Sequence, residues 1–154
     1  MKNYISICLF LLFGGNVMAQ DIMTSEVPNI ILDSFNKEFP NARDIEWEKK
    51  GEHYKVEFEI GRHDHDVLIN TAGQILGHKE DIANSQLPSV IKNKIKTDYK
   101  GYRIDGADKQ TIGNKVLYKI EIESGRSNNK KELDLILDQE GKSYDHKAWN
   151  EINF

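Results

Sequence analysis

One phrase is written twice in this chain. "VPNIILDSFNKEFPNA" starts at Val27 and "LPSVIKNKIKTDYKGY" at Leu87, so that Val27, Ile31, Phe35 and Phe39 recur as Leu87, Ile91, Ile95 and Tyr99 at a constant offset of 60. Apolar residues at every fourth position fall on one stripe of a helix. Pro28 and Pro88 stand at the two starts, where a missing N–H costs nothing because first-turn amides have no helical acceptor. Pro40 and Gly101 end the two runs. The spacing predicts helices from Pro28 to Phe39 and from Pro88 to Tyr99.

After each helix the period drops to two, the pattern of half-buried strands. Tyr54, Val56, Phe58 and Ile60 alternate with Lys55, Glu57 and Glu59; later Tyr118, Ile120 and Ile122 alternate with Lys119, Glu121 and Glu123, at an offset of 64. "INTAGQ" at Ile69 then matches "LDQEGK" at Leu137, with Gly73 over Gly141 at an offset of 68. Both four-residue insertions fall where turns are expected, in "DGADKQTIGNK" and "SGRSNNKK", as in two diverged copies of one folding unit. The first copy, about residues 24–80, is assigned strands at Arg43 to Lys50, Tyr54 to Gly61, His63 to Asn70 and Ile75 to Glu80. The second, about 87–148, is assigned Tyr102 to Ile112, Lys115 to Ser124, Lys130 to Asp138 and Lys142 to Ala148. The expected fold is α+β: two tandem αββββ repeats whose sheets join or pack with both helices on one face. A unit of about 60 residues is marginal alone, so the two should form one domain across residues 20–154.

Residues 1–19 are excluded from that domain. Lys2, an apolar run from Tyr4 to Phe13, and small residues at Val17 and Ala19 read as an export signal cleaved after Ala19. The run is short of the roughly 20 residues that span a bilayer. Removing 19 of the 154 residues takes away Cys8, the one cysteine, and Lys2, leaving 25 acidic against 20 basic residues and a net charge of -5. Disulfides, thiolate chemistry and cysteine-bound metals are thereby excluded, and the acidic balance argues against a nucleic-acid partner. The expectation is a monomer, periplasmic or secreted, with no membrane insertion once the signal is removed.

"VPNIILDSFNKEFPNARDIEWEKKGEHYKVEFEI" with "VLINTAGQI", and "LPSVIKNKIKTDYKGYRI" with "LYKIEIE" and "LILDQEGK", resemble the PepSY-like family related to beta-lactamase-inhibitor proteins, over roughly residues 24–145. The resemblance implies a small exported bacterial protein of tandem helix-plus-meander repeats. It further implies a non-enzymatic binding module, by analogy with inhibitors that lay a concave sheet on a target.

Chemistry-bearing motifs are sparse. No nucleophile elbow, phosphate loop or convergent titratable set is present, so no enzyme activity and no cofactor are expected. The solvent-phase residues Lys55, Glu57, Glu59, Lys119, Glu121 and Glu123 are the candidate binding surface for a protein or peptide. The alternative is a small-ligand or metal-binding rim in "GRHDHDVLIN", spanning His63 to Asp66. There strand alternation puts His63 and His65 in phase with Val67 and Ile69, whereas Asp64 and Asp66 face the other way with Leu68. Two same-side ligands fall short of the usual three or four, so a packing histidine is the competing reading of His65. Trp47, in phase with Ile45, reads as core, and Trp149 as packing over the open end of the sheet.

Overall fold

The computed structural model describes residues 20–125 and 129–150; the export signal expected over residues 1–19 lies outside them. A single antiparallel sheet runs through the chain in sequence order: β1 (Gln20–Ile22), β2 (Arg43–Lys50), β3 (His53–Ile60), β4 (His63–Ile69), β5 (Ile75–Asp81), β6 (Arg103–Ile112), β7 (Lys115–Ser124), β8 (Lys131–Asp138) and β9 (Ser143–Tyr144). Helix α1 (Asn29–Glu38) precedes β2, α2 (Ser89–Asp98) precedes β6, and α3 (His146–Trp149) follows β9. The two repeats are joined edge to edge, because β5 pairs with β6 from His78↔Thr111 to Asp81↔Asp108.

Each long helix seals its own half of one sheet face. Ile31, Phe35 and Phe39 pack with Trp47, Tyr54, Val56, Phe58, Val67 and Ile69. Ile91 and Ile95 pack with Ala107, Tyr118, Ile120, Ile122 and Leu137. The first core is aromatic: Phe35 meets Trp47 and Phe58 edge-on at 5.2 and 5.0 Å. The second is aliphatic, with Ala107 where the first has Trp47 and Ile122 where it has Phe58.

Duplication extends to details that hydrophobic patterning does not show. Before each helix a short turn is tied by a side chain reaching back: the Met23 N–H donates to Glu26 Oε2 and the Ala83 N–H to Gln86 Oε1, both at 2.8 Å. Asn70 Oδ1 accepts from the amides of Ala72 and Gln74, as Asp138 Oδ1 does from those of Glu140 and Lys142. A bulge sits between Arg43 and Glu46 opposite β3, and another between Ile104 and Gly106 opposite β7. In the first bulge Asp44 has φ +50°, and the extra residue breaks the alternation expected there. Ile45 is consequently 38% exposed instead of joining Trp47 in the core.

Three further expectations are corrected. The first four-residue insertion is not in a loop: it lengthens two strands by two residues each, since β6 and β7 have 10 residues where β2 and β3 have 8. The strand placed at Lys142 to Ala148 stops at Tyr144, because the Asp145 side chain caps a helical turn by accepting from the Ala148 N–H at 3.0 Å. Its counterpart β5 runs on because β6 binds its far side, whereas β9 has no outer partner among the described residues. β1, absent from the sequence reading, adds a ninth strand by pairing Ile22 with Trp47. Trp149 lies half-buried on α3.

The turn glycines set the distance between helix and sheet. A Cβ on Gly73, at φ +77°, would stand 2.6 Å from Ser34 Oγ and 2.9 Å from the Ile30 carbonyl on α1; one on Gly141 would stand 3.1 Å from Val90 Cγ1 on α2. Gly61 also has positive φ but faces open space. In urea unfolding, Gly61→Ala should cost about 1–3 kcal/mol for the left-handed backbone alone. Gly73→Ala should add about 1–3 kcal/mol for the clash with α1. Equal costs at the two positions would refute the close approach.

Candidate functional site

Both long helices lie on the face that carries Tyr54 and Tyr118, each 6% exposed. The opposite face carries neither of these two helices. Its floor is less polar than simple alternation implies: Leu68, Leu117 and Ile136 are 7%, 1% and 3% exposed there, beside Gln110 at 2%. Their cross-strand neighbours are long side chains, Lys55 opposite Leu68 and Lys119 opposite Ile136. Such stems lie along apolar surface while their charged ends reach for partners.

Those partners form one constellation twice. Lys55 pairs with Glu57 on its own strand and with Asp66 at 3.3 Å on β4. Lys119 pairs with Glu121 at 3.0 Å and with Asp134 at 3.4 Å on β8. The offsets, 64 for Lys and Glu and 68 for Asp, are those of the repeat. Burial opposes the charge on each lysine, but the carboxylates outweigh it and hold both ammonium groups above the ordinary lysine pKa. In the first repeat Lys79 adds a 2.6 Å bridge to Asp66.

The structure places the six candidate surface residues at unequal depth. Glu57 is half-buried, Glu59 and Glu121 are exposed, and Lys119 is intermediate. Lys55 and Glu123 are 8% and 2% exposed, contrary to their reading as solvent-phase residues. Alternation identifies a face but not its depth. Glu123 is covered by its own ion pairs, with Arg103 across the β6–β7 ladder and with Lys130 at 2.5 Å. Of the two aspartates that complete the triads, Asp66 was read from sequence only as part of the His63 to Asp66 rim and Asp134 was not singled out, although their shared offset with Gly73 and Gly141 was a usable signal.

At one end of the strands the face turns acidic. An open depression of about 410 Å³ is lined by seven carboxylates, among them Asp44, Glu46, Asp64 and Asp81, with Lys79 as its only ammonium group. It shares Asp81 with a second depression lined by His63, Asp108 and Glu121. Glu121 in turn borders a third with Asp105, Glu132 and Asp134. Where the repeats join, Asp81 and Asp108 are directly opposed across β5 and β6. Burial, then a hydrogen bond to Asp81 and that group's charge, push the Asp108 carboxyl up to about 7.

His63 borders the second depression, while His65 turns to β5, its Nδ1 3.0 Å from His78 Nε2. The His65 ring stacks on Phe58 at 5.1 Å and the His78 ring meets Phe39 at 5.2 Å. Sequence reading missed His78 because its run, "ILGHKED", shows no clean alternation. No helix among the described residues is long and apolar enough to cross a membrane.

The family model described as "Putative beta-lactamase-inhibitor-like, PepSY-like" matches the chain twice, over residues 16–77 and 73–145. The fold is similar to that of a BLIP-like protein from Bacteroides fragilis NCTC 9343, with a TM-score of 0.59 and 21% identity over 79% of this chain and 87% of that one. It is also similar to a "putative periplasmic" protein from Bacteroides eggerthii DSM 20697, with a TM-score of 0.60 and 14% identity over 76% of this chain and 85% of that one. A DUF2874 family protein from Bacteroides uniformis ATCC 8492 gives a TM-score of 0.59 and 16% identity over 76% and 86%. No curated protein sequence matches the chain.

The carboxyl pair at the junction makes stability depend on pH. An unfolded aspartate titrates near 4; between about 4 and 7 the folded chain therefore holds a proton on Asp108 that the unfolded chain lacks. The stability this gives is present at pH 4 and is lost as pH rises through 7. Asp108→Asn should raise the melting temperature relative to the parent at pH 8, with the difference shrinking toward pH 5 as the parent's carboxyl takes up its proton. A difference constant with pH in calorimetric scans would contradict the assignment.

Proposed function

Because the chain belongs to the beta-lactamase-inhibitor-like, PepSY-like family, we propose that it is an exported, non-catalytic module that docks another protein or a peptide on the sheet face opposite α1 and α2. The observation that carries the reading is the pair of Lys–Glu–Asp triads, Lys55–Glu57–Asp66 and Lys119–Glu121–Asp134, set over a buried apolar floor on the face opposite α1 and α2. A floor of leucine and isoleucine beneath ordered charges provides the apolar centre and polar rim of a docking surface. The BLIP-like relative is named for an inhibitor, and a wide face laid over a target would act by covering it. Export follows from the reading of residues 1–19, and one relative is described as periplasmic.

The acid surplus at the strand ends favours a partner segment rich in lysine and arginine. Charge there steers encounter and selects the partner more than it adds affinity. Fluorescence anisotropy with libraries of basic and acidic peptides should return binders from the basic set only, weakening with added salt. The double variant Glu57→Lys with Glu121→Lys should weaken the best binder at least about tenfold, or about 1.4 kcal/mol, with an unchanged near-ultraviolet circular dichroism spectrum as the check on folding. Binding indifferent to these reversals would overturn the assignment of the face.

A further inference from the structure

On the helix side of the sheet, α1 and α2 leave a polar seam along β4, β5 and β6. Here His65 stands directly across from Glu80, and His78, opposite Val67, sits two pairs further along β5 on the same face. One donor atom from each of these three side chains lies within 4.8 Å of the other two. We propose that His65, His78 and Glu80 form a binding site for a divalent ion of the zinc and copper class, held by two imidazoles and one carboxylate.

The donor set suits such ions, which take imidazole and carboxylate together, and three protein ligands leave a fourth position open. Around an ion with bonds of about 2.0–2.2 Å, tetrahedral donors stand about 3.3–3.6 Å apart. The two imidazole nitrogens, at 3.0 Å, need only a small opening. Glu80, within 4.8 Å of both, has at most about 1.5 Å to close, a rotamer swing for a partly exposed carboxylate. Phe58 and Phe39 hold the two rings in place. Lys109 Nζ, 2.8 Å from Glu80 Oε1, orients the carboxylate from β6 and is itself one-third exposed, so it can turn to solvent when a cation enters. A cleft lined by Glu38, Leu76 and Thr111 reaches His78 from outside.

The second repeat shows that the fold does not require an imidazole here. Leu133 occupies the position of His65 at the offset of 68 and continues the apolar row with Leu135 and Leu137. A histidine in one copy where the other keeps leucine is a feature laid over the scaffold. Burial lowers the pKa of both imidazoles, that of His78 to about 4, so both are neutral at pH 7, the form that binds metal. The hydrogen bond between them needs a proton on one of the facing nitrogens. When the ion enters, that proton moves to the other nitrogen of the same ring, and no charge is lost from the site.

Titration of the untagged mature chain with ZnCl2, and separately with CuCl2, tests the site. Calorimetry should show one equivalent bound, and nitrogen-15 spectra of the ZnCl2 complex should show one of the two rings changing tautomer. The His63, His53 and His146 resonances should stay in place. His65→Leu, which installs the side chain that the other repeat uses, should abolish binding, and Glu80→Gln should weaken it at least about tenfold. His63→Ala should leave it unchanged. Unmoved His65 and His78 rings in excess ZnCl2, or full affinity retained in folded His65→Leu, would overturn the proposal.

Discussion

Neither long helix can stand by itself. At 10 residues each, both are below the length at which a helix persists in water, about 12–15 residues. They exist because Ile31, Phe35, Ile91 and Ile95 are buried on the sheet, where truncating one such side chain to alanine costs about 2–5 kcal/mol. The sheet depends on them equally, since a meander with a bare apolar side would not stay soluble. The architecture follows from this mutual need: the face that the two long helices occupy is closed by them, and the proposed docking surface lies on the other.

That division was legible in the sequence because it is periodic. A spacing of four fixed the helix stripes, a spacing of two fixed the inward rows of Tyr54 and Tyr118, and the constant offset between copies identified the repeat. What stayed hidden was aperiodic. The bulge at Asp44 turned Ile45 outward without any change in residue type. β1 is too short to show alternation, and β9 gave way to a helical turn because one aspartate caps it.

The site was less legible than the fold. Alternation assigned Lys55 and Glu123 to the correct face but could not reveal that they lie deep in it, since depth depends on which long side chains stand across the ladder. Asp66 and Asp134 belonged to the same arithmetic as the turn glycines, and their role appears only once the strands are paired. His78 and Glu80 came together with His65 through strand register, a relation between distant residues that no local window contains. Family membership carried the fold, while side-chain clusters such as the histidine pair had to be found from geometry.

The bulge opposite Phe58 has a second effect. β1 covers only Trp47 to Lys49 of its neighbour, so among the described residues the start of β2 is an open edge of the kind that recruits foreign strands. An irregular backbone at Asp44 and Ile45 spoils the ladder along that uncovered stretch. At the far margin, where β9 guards only Ile136 and Leu137, the rest of β8 opens with Lys131, Glu132 and Asp134, charges that resist stacking. At both borders of the described sheet, an irregular backbone on one side and a row of charges on the other thus work against edge-to-edge pairing with a further strand.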